Sequence, residues 1–446
     1  MLRIFFYVSL FLFAMTSRSL GNDFEARLKG LEEVLQRQQK TIEEQQNLIN
    51  RLKEDLAGLK KGGAAKTEEK SAEAQQPSKV SSLFGGSWMT NPYISLVLNT
   101  NVYSSNINER QLEDRGIPGY TTEGFEQHKG FNLESAELFL FAPVDPYFNL
   151  YATIPFSEEG AEVEEAYFVT TSLPEGLQFK GGKFKSNFSR FNAQHPHAWD
   201  FADAPLAYRA FLGPEGLIEK GAQLTYLPKL PFYTLFGFEV LQGENELLFN
   251  SASRGGPHAF TAFAKASFDF GKSSTLLLGP SVVWGKTRTD RIAEGMIFRG
   301  NSTIYGFDAT YKWKPSKQNS LVLQGEYLLR SQKGDTEDTL LGTVDPLKCV
   351  QDAIYVQGLY QFGRWRLGAR YDLLDVFKDT YKLAGGQLDL GAKPWRLSGA
   401  LEFSPSEFSR LRLQYNHDRS GRDGRTNHEF FLQAILGIGA HTAHPF

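Results

Sequence analysis

The sequence predicts an all-β fold: a transmembrane antiparallel β-barrel of about 16 strands, preceded by an α-helical coiled coil. Three observations carry this. From Asn91 onward apolar and polar residues alternate with period two. Along that stretch short turns alternate with long loops. Ahead of it, residues 24–59 repeat with a heptad period.

The 446 residues include 36 Phe, 18 Tyr and 42 Gly but one Cys, and 41% are hydrophobic. Past the N-terminus no apolar run reaches the roughly 20 residues of a membrane helix. A membrane protein of this composition hides its apolar residues by alternation, as barrels do. Cys349 has no partner for an intrachain disulfide, and a closed barrel needs none. The net charge of −3 points to no polyanion, so nucleic acid is not an expected partner.

Residues 1–21 read as a signal peptide. Arg3 supplies the positive start, Ile4–Met15 is the apolar stretch, and small Ser19 and Gly21 suit cleavage before Asn22. Residues 22–61 hold the coiled coil. One seam runs Leu28, Leu35, Ile42, Ile49, Leu56; the other runs Phe24, Leu31, Gln38, Gln45, Leu52, Leu59. Polar seam residues such as Gln38 and Gln45 fix register and oligomeric state. Residues 62–87, rich in Gly, Ala, Lys, Glu, Ser and Gln, read as a flexible linker. Residues 88–446 form the barrel.

In the first barrel strand Ile94, Leu96, Leu98 and Val102 alternate with Ser95, Asn99 and Asn101. Trp395, Leu397, Leu401 and Phe403 share one face, as do Leu411, Leu413 and Tyr415, and Phe430, Leu432, Ala434, Leu436 and Ile438. Short turns fall at 144–146, 173–176, 228–231, 271–274, 314–318, 362–364 and 404–406. Long loops fall near 104–130, 188–218, 243–257, 286–302, 331–352, 374–394 and 418–427, with a shorter one at 157–161. That alternation places periplasmic turns on one side and external loops on the other. Residues 383–391 are assigned to a loop, because a strand there would break it.

The order of signal peptide, coiled coil, linker and barrel resembles the trimeric outer-membrane porins with an N-terminal periplasmic coiled coil. Gly181–Asn192 is similar to the strand before the third loop in phosphate-selective-type porins. Four further marks resemble the family labelled zinc-regulated TonB-dependent outer-membrane receptors. They are Val144-Asp145-Pro146-Tyr147, Asn192-Ala193-Gln194-His195-Pro196-His197-Ala198-Trp199, Gly213-Pro214-Glu215-Gly216-Leu217, and Gly439 to Phe446 with His441 and His444. The resemblance implies an outer-membrane location and a homotrimer. The label also implies energised uptake, but the residues ahead of the barrel read as coiled coil and linker, not as a globular plug.

No catalytic constellation stands out; Gly-x-Ser-x-Gly and Walker loops are missing, and nothing ties His258 or His417 to a nucleophile. An enzyme is not expected. Arg364, Arg366, Arg370, Arg396, Arg410 and Arg412 fall on inward positions of the late strands. An arginine wall sets a fixed field across a pore, unless the charges pair with one another's neighbours. Glu134, Glu137, Glu162, Glu164 and Glu165 lie on the earlier strands. The third loop carries His195, His197, Asp200 and Asp203, residue types that ligate zinc, although the spacing matches no closed structural site. His441 and His444 form a second pair. The expected function is a porin-like channel for small, anionic solutes across the outer membrane. No cofactor is required for that; zinc is the possible one. A receptor or channel for zinc or another divalent metal is the alternative. A third reading is an envelope tether, with the coiled coil gripping a periplasmic or cell-wall partner.

Overall fold

The computed structural model describes residues 92–121, 124, 128–158, 160–249, 255–290 and 296–439. The predicted signal peptide, coiled coil and linker, and the His441/His444 pair, lie outside the described residues.

One antiparallel sheet closes on itself. Of its 18 paired segments, two are two-residue pairings, Gly160–Ala161 and Gly386–Gln387. The other 16 are the barrel strands. In chain order they are β1 Tyr93–Ser105, β2 Gly130–Pro143, β3 Phe148–Ser157, β4 Glu165–Thr170, β5 Leu177–Lys185, β6 Ile218–Tyr226, β7 Tyr233–Leu241 and β8 Ala259–Phe270. There follow β9 Ser274–Asp290, β10 Met296–Trp313, β11 Asn319–Asp338, β12 Val344–Phe362, β13 Trp365–Leu383, β14 Trp395–Ser406, β15 Ser409–Asp418 and β16 Asn427–Gly439. Closure is made by β1, which pairs with β2 on one side and with β16 on the other, Ser95 opposite Gly439 and Ser105 opposite Glu429. No backbone edge is left for lipid to meet, which a membrane barrel requires.

The alternation sorts the faces as predicted. On β15 Leu411, Leu413 and Tyr415 are exposed, while Arg412, Gln414 and Asn416 are buried. On β16 Phe430, Leu432, Leu436 and Ile438 are exposed, and Phe431, Gln433 and Ile435 are buried. Burying a Leu or Phe side chain of this kind stabilises by about 1.5–3 kcal/mol, so this outer belt is built for hydrocarbon. Aromatic residues mark its rims. Trp365 and Phe403 meet at 4.6 Å beside the short turns, and Trp395 stacks on His417 at 5.2 Å near the loops.

Connections alternate short and long throughout. The turn at Val144-Asp145-Pro146 is held by the Asp145 carboxylate, which accepts from the backbone N–H of Tyr147 at 2.7 Å and of Phe148 at 2.9 Å. Three expected loops are shorter than the sequence suggests. Strands β9 to β13 run for 17 to 20 residues, well past the roughly 9–11 that cross a bilayer. Above the belt their outer faces carry exposed Lys286, Arg299, Asn301, Lys333 and Lys348, while Phe298, Leu347, Cys349 and Tyr381 pack inside. A strand that is polar on its water side reads as loop when only apolar positions are followed.

The core lies inside the barrel. The first loop (106–129), third loop (186–217) and fourth loop (242–258) send Ile117, Tyr120, Phe188, Phe191, Leu206, Phe211, Leu248 and Phe249 inward. They pack against the wall residues Val283, Ile304, Leu328, Tyr355 and Leu374.

Candidate functional site: a constriction loop pinned to opposite walls

The third loop leaves β5 and re-enters at β6. Its neck is closed by Asn192, whose amide donates to the carbonyls of Ser186 (2.8 Å) and Leu217 (3.0 Å) and accepts from Leu217 N–H (2.7 Å). Gly216 sits there with φ 74°, and a Cβ on it would meet Asn192 Oδ1 at 2.5 Å. Only glycine suits that backbone and that approach. Two of the sequence marks, 192–199 and 213–217, are thus the two sides of this neck.

Beyond the neck the loop touches the near wall. His195 directs Nδ1 at Glu164 (3.1 Å) and Nε2 at Glu165 (2.9 Å). His197 Nδ1 lies 3.1 Å from Glu137 of β2, which is also 3.7 Å from His195 Nδ1. Lys185 at the end of β5 pairs with Glu164 at 2.8 Å. The two imidazoles stack with centroids 5.7 Å apart. Burial works against a charge on His195, yet its hydrogen bonds to Glu164 and Glu165 raise its pKa to about 10. With both ring nitrogens facing carboxylates, the side chain is an imidazolium donating twice.

The loop then crosses the lumen to the far wall. Asp203 accepts from Arg370 and Arg396 at 2.7 Å each, from Gln414 at 2.7 Å and from Asn416 at 2.9 Å. Arg370 and Arg396 also share Asp372 at 3.1 and 3.4 Å. Arg370 lies 4.6 Å from the centre of the Phe201 ring. Asp200 pairs with Arg366 and accepts from Gln357 at 2.8 Å. Arg412 donates to Trp199 O at 2.7 Å and pairs with Glu402 at 2.8 Å. A short helix, α1 Leu206–Leu212, follows; Asp372 accepts from its Leu206 N–H at 2.9 Å, and it is buried but for Arg209. Burial acts to raise the Asp203 carboxyl, but the charges of Arg396 and Arg370 outweigh it and hold the group well below the usual carboxylate range.

These contacts correct the sequence reading in three respects. Arg364 is exposed in the turn between β12 and β13 and does not line the lumen. Arg370, Arg396 and Arg412 are inward but covered by the loop, at 1%, 0% and 1% exposure, so the arginine wall is not a bare field. Asp200 and Asp203 belong to that wall and not to the histidines; the acids beside His195 and His197 are Glu137, Glu164 and Glu165. The chain crosses the barrel between His197 and Asp200, so proximity in sequence misled. The signal for the right partners was present in the acids of the early strands, without anything to say that a later loop folds onto them.

Sequence reasoning also missed an inward row of aromatics. Tyr93, Phe141, Tyr151 and Tyr167 are register partners across β1 to β4, with successive ring centroids 5.6, 4.9 and 5.1 Å apart. Both faces of Phe139–Ala142 are apolar, so alternation does not tell which faces the lumen. Of the two histidines considered for catalysis, His417 lies on the outer face against Trp395, and His258 meets Gly256 O at 3.2 Å.

A closed antiparallel barrel with an apolar outer belt and a loop folded across its lumen is a membrane β-barrel of the porin kind. The chain belongs to the same family as an uncharacterized protein of Aquifex aeolicus (strain VF5), with 45% identity over 380 residues, 80% of each chain. No family model matches. Among solved structures it is similar to outer-membrane-expressed OmpT of Vibrio cholerae (TM-score 0.48, 14% identity, covering 78% of this chain and 97% of that chain). It is also similar to the outer membrane channel DcaP of Acinetobacter baumannii (0.47, 14%, 78% and 96%). A third likeness is an anion-selective porin from Comamonas acidovorans (0.48, 9%, 78% and 99%).

Proposed function

We propose that the protein is a narrow outer-membrane channel for small anionic solutes, with the third loop as its constriction. The carrying observation is a local excess of cation. Arg366, Arg410 and Arg412 all approach one carboxylate, Glu402, at 3.7, 3.6 and 2.8 Å. Asp200 is the only further acid they meet among the described residues, through Arg366. Three guanidiniums against two carboxylates leave a net +1. Arg366 and Arg410, at 24% and 29% exposure, are the members of the group that water reaches. A guanidinium keeps its charge at any working pH, so this bias is permanent.

The reading accounts for the covered wall as well. Arg370 and Arg396 are balanced by Asp203 and Asp372, so they hold the loop and contribute no net field. On this reading solute passes beside Arg366 and Arg410, the members of the group that water reaches. The test is swelling of liposomes carrying the purified full-length protein, with anionic, neutral and cationic solutes of matched size. Faster entry of the anion supports the reading. Equal rates, or faster entry of the cation, would overturn it.

A further inference from the structure

The cluster beside His195 has the composition and spacing of a metal site. We propose that it binds one divalent transition-metal ion of the zinc type, held by His195 Nδ1, Glu137 and Glu164 with His197 beside Glu137, which fastens the constriction loop to the near wall. The ion is a fastener of the fold, not the cargo of the channel, so the inference stands whatever solute permeates.

The distances come first. His195 Nδ1 and one oxygen each of Glu137 and Glu164 all lie within 4.8 Å of one another. The measured pairs are His195 Nδ1–Glu164 at 3.1 Å, His195 Nδ1–Glu137 at 3.7 Å and His197 Nδ1–Glu137 at 3.1 Å. Tetrahedral zinc with ligands at about 2.0–2.1 Å places those ligands about 3.3–3.5 Å apart. The contacts of His195 Nδ1 with Glu164 and Glu137 therefore need to change by only a few tenths of an ångström to match such a site. Ligands come from strand β2, from the segment before β4 and from the loop, so an ion here ties three parts of the chain together.

Glu137, Glu164 and Glu165 carry three negative charges in a buried site, and Lys185 returns one. With His195 as an imidazolium and His197 neutral the metal-free sum is −1; a divalent cation that displaces the His195 proton brings it to zero. Buried charge without such compensation is costly.

His195 presents its other nitrogen, Nε2, to Glu165 at 2.9 Å. A carboxylate that accepts the far N–H of a ligating histidine fixes its tautomer and leaves the near nitrogen for the metal. Glu165 is placed to do this, and the Nδ1 proton of His195 would pass to solvent as the ion enters. Lys185 meanwhile holds the oxygen of Glu164 that faces away from His195.

The experiment uses the full-length protein in detergent, stripped with chelator and equilibrated with zinc. One zinc per chain is expected by elemental analysis. His195→Ala with His197→Ala should abolish that binding. Glu165→Gln should weaken it by about 10- to 100-fold, as loss of an outer carboxylate does. Arg299→Gln, on the exposed outer face of β10, should leave it unchanged. Because the double variant could fail to fold, cobalt is added to the unaltered protein as a second probe. Intense tetrahedral absorption bands are expected. No bound zinc, retention of full affinity in a folded double variant, or only weak octahedral cobalt bands would each overturn the proposal.

Discussion

Asp203→Asn removes the charge that two buried guanidiniums share. Arg370 and Arg396 are 1% and 0% exposed, and each donates to Asp203 at 2.7 Å. After the change only Asp372 remains to balance both. Uncovering one partner of a buried ion pair typically costs about 3–5 kcal/mol. The barrel strands do not depend on that contact, because their ladders close without it. The cost therefore falls on the docked state of the third loop. At about 1.4 kcal/mol per tenfold, undocking should become on the order of 10²–10⁴-fold more frequent. Planar-bilayer recording reads this directly. The unaltered channel should hold one small conductance, and the variant should step repeatedly to a larger one. Protease treatment should then cut within the loop, at Arg190 or Arg209, in the variant alone. If conductance and protection are both unchanged, the loop is not held by this carboxylate and the constriction account fails.

Other consequences follow from the same geometry. The depressed Asp203 pKa carries a sign: its contribution is complete above the unfolded carboxylate value of about 3.9 and is lost only as pH falls through the lower folded value. Single-channel conductance should therefore be steady from neutral pH down to about pH 4, and opening already near pH 5 would contradict the assignment. Arg330, fully buried, donates to Gly119 O at 3.2 Å and lies against the stacked rings of Tyr120 and Phe211, 4.9 and 4.8 Å away. Arg330→Ala should loosen the first loop by on the order of 2–4 kcal/mol, seen as faster hydrogen exchange at 117–121 with the strands unaffected. The heptads of residues 24–59 predict an oligomer held through them, so deleting these residues should weaken it while leaving the barrel folded. Native mass measurement checks this, and a monomer in the full-length protein would remove the basis for it.

Much of the fold was legible in the sequence because a strand has a two-residue period and a lipid-facing surface must be apolar. The faces of β14, β15 and β16 follow from that alone. The order of turns and loops was legible too, through Asp145-Pro146, Pro174-Glu175-Gly176 and Gly363. The long upper halves of β9 to β13 were not, because their outer faces meet water. Of the site, the third loop and its apolar weight were visible, and so were Arg366, Arg370, Arg396, Arg410 and Arg412 as inward residues. Their partners were not. Which wall a loop meets after crossing a lumen depends on contacts far apart in sequence, such as Asp203 with Arg396 or His197 with Glu137, and no local pattern encodes them.

In the proposed channel Arg366 and Arg410 leave an uncompensated positive charge where solute passes. The reversal potential across a bilayer in a salt gradient measures it most directly, compared between the unaltered protein and Arg366→Gln with Arg410→Gln. The account predicts anion preference in the first and a shift toward cations in the second. Cation preference in the unaltered channel, or the same potential in both, would contradict it.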